Sequence, residues 1–526
     1  MKSRALMCVA AMSLFATLSV PRESAAQEQT TKHHVQHHHY KLIDMGTFGG
    51  PASSINYPVS GNLNHQGISI GWSATATPTS STSNPLVCGG LDGVIPYITH
   101  AFEWNGVVKD LGALPPSDGN CSEPFGINAK GEIVGASESS EIDPFSGVKG
   151  ARAVLWKDGQ VTDLGSLGGY EAAAFAINNR GQIAGNSTNT VPDPYCFFGT
   201  AQLRTFLWQN GHMQDLGSLG GNCGSGIGTI AINERGQIVG NSSTSSIPNP
   251  VTGVPPFDPF LWEEGKGMRD LGTLGGAFGS AQGINNRSQV IGQSSIASDP
   301  GACNGFPDNG DNNCHPFVSD QGTLIDLNTT SIGGTPEFVG GLNDAGEIVG
   351  WAAFPNAPMD AFLWRKGMVQ DLGHLDGCIS GAHVINSSRQ VVGFAASCVA
   401  NEVHAFLWEN GSIVDLNALI PPGSSLQLAD ATDINDRGEI DGIGVPAGIP
   451  SGNFITQGRG FQLIPCDENH ADVEGCDYSL VDARAQPSAA SGAAFKAMTA
   501  EELATLMKRM ARVAGRNRGF GIWPRR

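Results

Sequence analysis

The sequence predicts an all-β fold, a β-propeller of about eight four-stranded blades with seven as the alternative. It is closed by pairing N- and C-terminal strands and followed by a short C-terminal helix. Three observations lead there. One ordered pattern recurs along the chain. Glycine supplies 71 of the 526 residues, and charged residues only 15%, well below the usual quarter. Many strands joined by many tight turns have that composition; a helix-rich chain does not.

The pattern runs through Ala361-Phe362-Leu363-Trp364, Gly367, Asp371-Leu372-Gly373, Ile385-Asn386 and Val391-Val392-Gly393. It returns from Ala153, Thr205, Pro259 and Ala405, and more weakly from Ala101 and Pro316, with starts 44 to 57 residues apart. Each unit reads as four strands: A (Phe-Leu-Trp), B (ending in Asp-Leu-Gly), C (ending in Ile-Asn) and D (Ile-Val-Gly). Short connections ending in Gly join A to B, and Asn-x-x-Gly joins C to D, where the Asn side chain bonds the backbone ahead of it and Gly takes positive φ. Alternate connections of an antiparallel sheet lie on alternate faces. The tight turns therefore share one face, and the long B-to-C and D-to-A loops share the other. The long D-to-A loop is expected to pass from the outside of one blade to the inside of the next.

Counting sets the number of blades. B strands end at Asp44, Asp110, Asp163, Asp215, Asp270, Asp326, Asp371 and Asp415, and C–D turns begin at Asn64, Asn128, Asn178, Asn233, Asn285, Asn343, Asn386 and Asn435. The chain opens with B and ends with A. Asn453–Thr456 is therefore expected to supply the missing first strand to the blade begun by Tyr40–Gly46, while Phe461–Ile464 reads as a further B strand that competes with Tyr40–Gly46. Closure leaves no sheet edge bare.

The triplets His100-Ala101-Phe102 and His404-Ala405-Phe406, with the Asp-Leu-Gly and Asn-x-x-Gly-x-Ile-Val-Gly segments, resemble the bacterial extracellular HAF-repeat proteins over roughly residues 40 to 460. Pro316-Phe317-Val318-Ser319 departs by lacking the Trp, and Ser288 and Arg389 stand where the turn glycine belongs. The resemblance implies export and a repetitive β fold; it implies no established activity.

Residues 1–26 read as a signal peptide, with Lys2 and Arg4 before an apolar run and Ser24-Ala25-Ala26 before an expected cleavage between Ala26 and Gln27. No later stretch approaches the length of a membrane span. Residues 27–39 read as a His-rich linker, 40–465 as the propeller, 466–480 as a disulfide loop, 481–498 as a linker, and 499–526 as an amphipathic helix with a basic tail. Removing residues 1–26 leaves ten of the eleven cysteines, an even number suited to disulfides outside the cytosol. Pairing in sequence order is expected: Cys88–Cys121, Cys196–Cys223, Cys303–Cys314, Cys378–Cys398 and Cys466–Cys476. The first four would brace the long-loop face, where binding residues usually sit. The formal charge of −19 disfavours nucleic acid and anionic membranes as partners.

Candidate chemistry is sparse. A ring of eight Asp carboxylates suits cations, but a residue recurring in every unit more often satisfies backbone donors there. Trp104, Trp156, Trp208, Trp262, Trp364 and Trp408 suit sugar stacking, but large rings more often fill the gap between blades. Asp308, Asp311 and Asn313 lie in a turn resembling a calcium loop, without the EF-hand spacing or its bidentate Glu; a solvated turn is the plainer reading. His33, His34, His37, His38 and His39 form a tract of the kind that binds zinc or nickel, though without defined geometry in a linker. No local catalytic motif occurs, so no catalytic residue, cofactor or metal is assigned.

In the last segment Thr499 and Glu502 make a capping box, and Leu503, Leu506, Met507, Met510 and Val513 share a helical face. Lys508, Arg509, Arg512 and Arg516 offer docking to an anionic partner, unless the helix packs on its own acidic propeller. The chain reads as a secreted binding or scaffold module for an unknown extracellular ligand, polysaccharide or protein. The alternative is an extracellular hydrolase or lyase acting on polymer, with acidic, His or Tyr side chains converging from several blades.

Overall fold

A computed structural model of the chain describes residues 36–482, apart from 57–60, 89–94, 117–118, 197–200, 224–229, 251–252, 254, 299–313, 356, 376–378 and 397–401. It holds eight four-stranded antiparallel sheets, two of which (blades 4 and 5) are joined by one parallel pair, Phe257 with Phe278. Blade 1 runs Gly49–Ile55, Ser69–Pro78, Tyr97–Trp104 and Val108–Asp110. Blades 2 to 7 begin at Ser122–Ile127, Gly168–Ile177, Ala231–Ile232, Gly275–Ile284, Thr335–Leu342 and Ile379–Ile385. Blade 8 consists of Leu426–Ile434, Ile440–Pro446, Arg459–Pro465 and, as its fourth strand, Tyr40–Asp44.

The order within every blade is therefore C-D-A-B, which corrects two expectations. The long D-to-A loop stays within a sheet, as the pairing of Ser73 with His100 in blade 1 shows; the B-to-C segment is the one that crosses between blades. The strand that receives the N-terminal Tyr40–Asp44 is Arg459–Pro465, with Tyr40 opposite Pro465 and Asp44 opposite Phe461. Asn453–Thr456 is not a strand: it lies in the helical turns Ser451–Asn453 and Phe454–Gln457. Arg459-Gly460-Phe461-Gln462-Leu463 keeps the alternating Phe and Leu of strand A, and Asn453–Thr456 does not.

Burial explains why strand A looks continuously apolar. Successive side chains of a strand point to opposite faces, and both faces of a blade are covered. Phe206 packs in the cluster shared with blade 2, while Leu207 packs in the cluster shared with blade 4. Phe102, Phe206, Phe260, Phe317, Phe362, Phe406 and Phe461 are all fully buried. The repeated Gly of strand D makes room for them: a Cβ on Gly135, Gly185, Gly292 or Gly442 would overlap a carbonyl oxygen of the neighbouring C strand, Glu123 in the first case. The six repeat tryptophans pack against clusters between blades, Trp156 among Ile68, Ala101 and Ile133 for example, as size predicts.

The turns behave as read. Asp158-Gly159, Asn210-Gly211 and Asn410-Gly411 both take positive φ, which matches hairpin twist. Ser288 and Arg389 hold φ of 66° and 63° at the glycine position, so blades 5 and 7 keep the turn at a strain of about 1 kcal/mol each. All eight C–D asparagines are buried. In each, Oδ1 accepts the amides two and four residues on, as from Arg180 and Gln182 at 3.1 Å to Asn178. Nδ2 donates to the main-chain oxygen of the next blade's asparagine. The bonds run from Asn64 to Asn128, Asn178, Asn233, Asn285, Asn343, Asn386 and Asn435, and from Asn435 back to Asn64. The cycle closes on its first member, which requires eight blades and excludes seven. Radiating sheets come within bonding distance of each other only near the centre, so the C strands are innermost.

Two short strands lie outside the blades. Gln36–His38 pairs with Leu480–Asp482, joining the expected His-rich linker to the end of the disulfide loop and the start of the second linker, and His37 is fully buried with Nδ1 2.8 Å from Glu409 Oε1. Among the described residues no helix is long and apolar enough to cross a membrane.

Candidate functional site

The eight B-strand aspartates sit where strands reach the long-loop face. One oxygen of each caps the chain two residues on: Asp110 accepts the Gly112 amide at 2.7 Å, and Asp163, Asp215, Asp270 and Asp371 do likewise. Asp326 and Asp415 instead cap helical turns at Asn328 and Asn417, because Asn replaces the Gly that would take positive φ. In blades 1, 5, 7 and 8 the second oxygen meets the residue two before the repeat Phe. Asp110 meets His100 at 2.9 Å, Asp326 meets His315 at 2.8 Å, Asp415 meets His404 at 2.9 Å and Asp44 meets Arg459 at 3.2 Å. The His of the repeat triplet is thus an anchor for the B strand. The carboxylates are consumed in capping and do not form a cation ring.

Blades 4 and 6 place an Asp at the His position: Asp360 meets His374 at 2.9 Å, whereas Asp258 faces Asp270. Burial, and then the facing Asp270 carboxylate, push Asp258 up to about 7, so near pH 6 Asp258 is mostly protonated. Restoring the imidazole with Asp258→His is expected to stabilise the protein by about 1 kcal/mol at pH 6, read from the urea midpoint. An unchanged or lowered midpoint would contradict the anchoring role.

Disulfides brace both faces: Cys88–Cys121 and Cys196–Cys223 lie on the long-loop face, and Cys466–Cys476 lies at the tight-turn end of blade 8, where Cys466 follows strand A. Cys88–Cys121 and Cys196–Cys223 each join a D-to-A loop to the next B-to-C segment, and Cys466–Cys476 closes a loop after blade 8. Cys314 is also disulfide-bonded; Cys303, Cys378 and Cys398 lie outside the described residues. Beside the first disulfide, Glu138 accepts the amides of Asn84 and Cys121 and pairs with Lys149 at 3.2 Å. Asn84 in turn donates to Glu171 at 3.1 Å. This network ties the blade 1 loop across blades 2 and 3. Burial raises Glu171 to about 8 against the opposing bonds from Ala151 and Asn84. Cys88, Cys121 and Glu138 lie close enough for a metal, as do Asp193, Cys196 and Cys223, but sulfurs joined to each other are not thiolate ligands.

Ionisable groups on the inner strands are sealed. His383 Nε2 lies 3.1 Å from Asp430 Oδ1, with exposures of 2% and 0%, too little for any substrate to reach. Glu123 is raised to about 8 by burial. At the seam between blades 8 and 1, Asp441 pairs across strands with Gln462, where blades 2 to 7 place apolar pairs such as Val134–Leu155 and Val392–Leu407. Burial, then the Asp433 charge, hold the Asp441 carboxyl well above the ordinary range.

Exposed apolar side chains gather on the D-to-A loops of three successive blades: Ile142 and Phe145 in blade 2, Val191 and Tyr195 in blade 3, and Ile247 in blade 4. Sequence reading also passed over a repeated serine two residues after the strand-D Gly. Ser73, Ser137, Ser187, Ser242 and Ser294 each accept an amide of the B-to-C crossover, such as Leu114 at 2.9 Å. Gly-x-Ser was its signal. The calcium-like turn at Asp308, Asp311 and Asn313, residues 1–26, His33, His34 and the tail with Lys508, Arg509, Arg512 and Arg516 lie outside the described residues.

No known family profile matches the chain, and no curated protein matches it. Solved structures resemble it. An acylaminoacyl peptidase of Pyrococcus horikoshii aligns at 11% identity with a TM-score of 0.37, over 74% of this chain and 57% of that one. TolB of Acinetobacter baumannii aligns at 15% identity with a TM-score of 0.29, over 60% of this chain and 61% of that one. A gluconolactonase of Xanthomonas campestris aligns at 13% identity with a TM-score of 0.24, over 65% of this chain and 85% of that one. Likenesses of this extent carry no argument about activity.

Proposed function

We propose that this chain is a secreted binding or scaffold module that meets an extracellular polysaccharide or protein through its long-loop face. The observation that carries the reading is the set of exposed Ile142, Phe145, Val191, Tyr195 and Ile247 on three neighbouring loops, of which the blade 3 loop is tied down by the Cys196–Cys223 disulfide. Loops held on a rigid scaffold lose little conformational freedom on binding, and exposed apolar clusters mark interaction surfaces. The HAF-like triplets and the N-terminal signal pattern support export.

The test is a binding screen of the protein against extracellular polysaccharides and exported proteins, repeated with Phe145→Ser, Tyr195→Ser and Ile247→Ser combined. Loss of at least tenfold in affinity with an unchanged melting temperature is expected. Ligands bound equally by the triple variant would place the site elsewhere. A truncation that removes the basic tail should begin after Asp482, because Leu480–Asp482 pairs with Gln36–His38.

A further inference from the structure

The opposite, tight-turn face carries a second pattern. Of the thirty Lys and Arg residues in this acidic chain, six stand in the eight C–D turns: Lys130, Arg180, Arg235, Arg287, Arg389 and Arg437. All six are exposed. They divide into two groups. Arg389 is neutralised by Glu347 at 2.6 Å, and Arg437 by Glu439 at 3.1 Å. Lys130, Arg180, Arg235 and Arg287 form no ion pair among the described residues, and they occupy four consecutive blades.

The cause lies four residues after each turn asparagine. Blades 6 and 8 place Glu347 and Glu439 there, Glu347 meeting Arg389 of the next blade and Glu439 meeting Arg437 of its own turn. Blades 3, 4 and 5 place Gln182, Gln237 and Gln289, which make the same bond to the asparagine without charge. In blade 2 the position is Glu132, but Lys157 takes it at 2.7 Å. The four turns hold one carboxylate of their own, Glu234, which accepts the Asn179 amide. The guanidiniums lean along the cycle: Arg235 donates to Ser288 Oγ at 3.2 Å and Arg287 to the Ala345 oxygen at 3.3 Å. The hydrogen-bonded asparagines beneath fix the order and spacing of the charges.

We propose that this arc of Lys130, Arg180, Arg235 and Arg287 binds a linear acidic polysaccharide whose carboxylates follow one another along the chain, as in a polyuronate. Guanidinium forks match carboxylates, and Asn179 beside them supplies an amide group for a sugar hydroxyl. A broad anionic surface would also face the remaining negative charge of the molecule and be repelled; a single thin strand touches the arc alone. This site goes beyond the long-loop reading and stands or falls separately.

The experiment is calorimetric titration of the full chain with oligogalacturonate at low and moderate salt. Binding that weakens as salt rises is expected. Arg180→Gln, Arg235→Gln and Arg287→Gln combined should lower affinity at least thirtyfold, whereas Lys266→Gln, an exposed cation off the arc, should change it less than twofold. Should the triple variant melt early, Gln182→Glu with Gln237→Glu leaves the arginines in place, restores the carboxylate of the sister blades and should lower affinity at least fivefold. The Phe145, Tyr195 and Ile247 variant should bind oligogalacturonate as the parent does. No binding at low salt, unchanged affinity in the arginine variant, or tighter binding of a polyphosphate of equal charge would overturn the assignment.

Discussion

Asn178→Ala is expected to destabilise the protein by about 3 kcal/mol, because three of its four hydrogen bonds leave a buried partner behind. The side chain is 2% exposed. It accepts the Arg180 and Gln182 amides and donates to Gln182 Oε1 at 2.9 Å and to the Asn233 oxygen at 3.1 Å. Alanine can replace none of these, and water has little room to do so. Asn179→Ala, one residue on and half-exposed, removes one bond to the Ala129 amide and should cost under about 1 kcal/mol. Urea unfolding of both variants checks the pair. Equal losses would mean that the asparagine cycle is incidental to stability.

Raising the pH from about 5 to 8 is expected to weaken the fold. Glu123 and Glu171 titrate near 8 when folded and near their ordinary 4.5 when unfolded. Below about 4.5 both states hold these protons and the contribution is whole. Between 4.5 and 8 only the folded state holds them, so stability falls by up to about 1.4 kcal/mol per pH unit for each group. The carboxylates held low by their partners, Asp110, Glu132 and Glu409, lose their contribution below about 4.5, outside this window. Glu171→Gln keeps the shape and should flatten the slope by about one proton. A stability that climbs from pH 5 to 8, or a Glu171→Gln profile parallel to the parent, would refute the assignment.

Much of the fold was legible because the repeat exposes its own rules. The Phe-Leu-Trp run, the Asp-Leu-Gly cap and the Asn-x-x-Gly turn recur where backbone geometry demands them, and their count gives eight. Blade phase was not legible. A cyclic order of four strands reads the same from any start, and a long D-to-A loop looks like a crossover although the shorter B-to-C segment makes the crossing. The pairing of strand D with the following strand A, as of Ser73 with His100, decides it; for the partner of Tyr40–Asp44, Phe461 was the clue. The sites were less visible. Glu138 stands where sister strands carry Thr188, Ser243 and Ser295, so its oddity could be seen, but not that it would hold a loop from the previous blade. The cations of the arc are ordinary turn residues until Gln182, Gln237 and Gln289 are set beside Glu347 and Glu439.

The pairing of Tyr40–Asp44 with Arg459–Pro465 also sets the order of assembly. Blades 1 to 7 each form from one contiguous stretch and can fold locally. Blade 8 needs partners more than 400 residues apart, and contacts of that separation form late. The earliest blade strand among the described residues is thus among the last to find its place, and a product cut short before Arg459 keeps two raw sheet ends open to other chains.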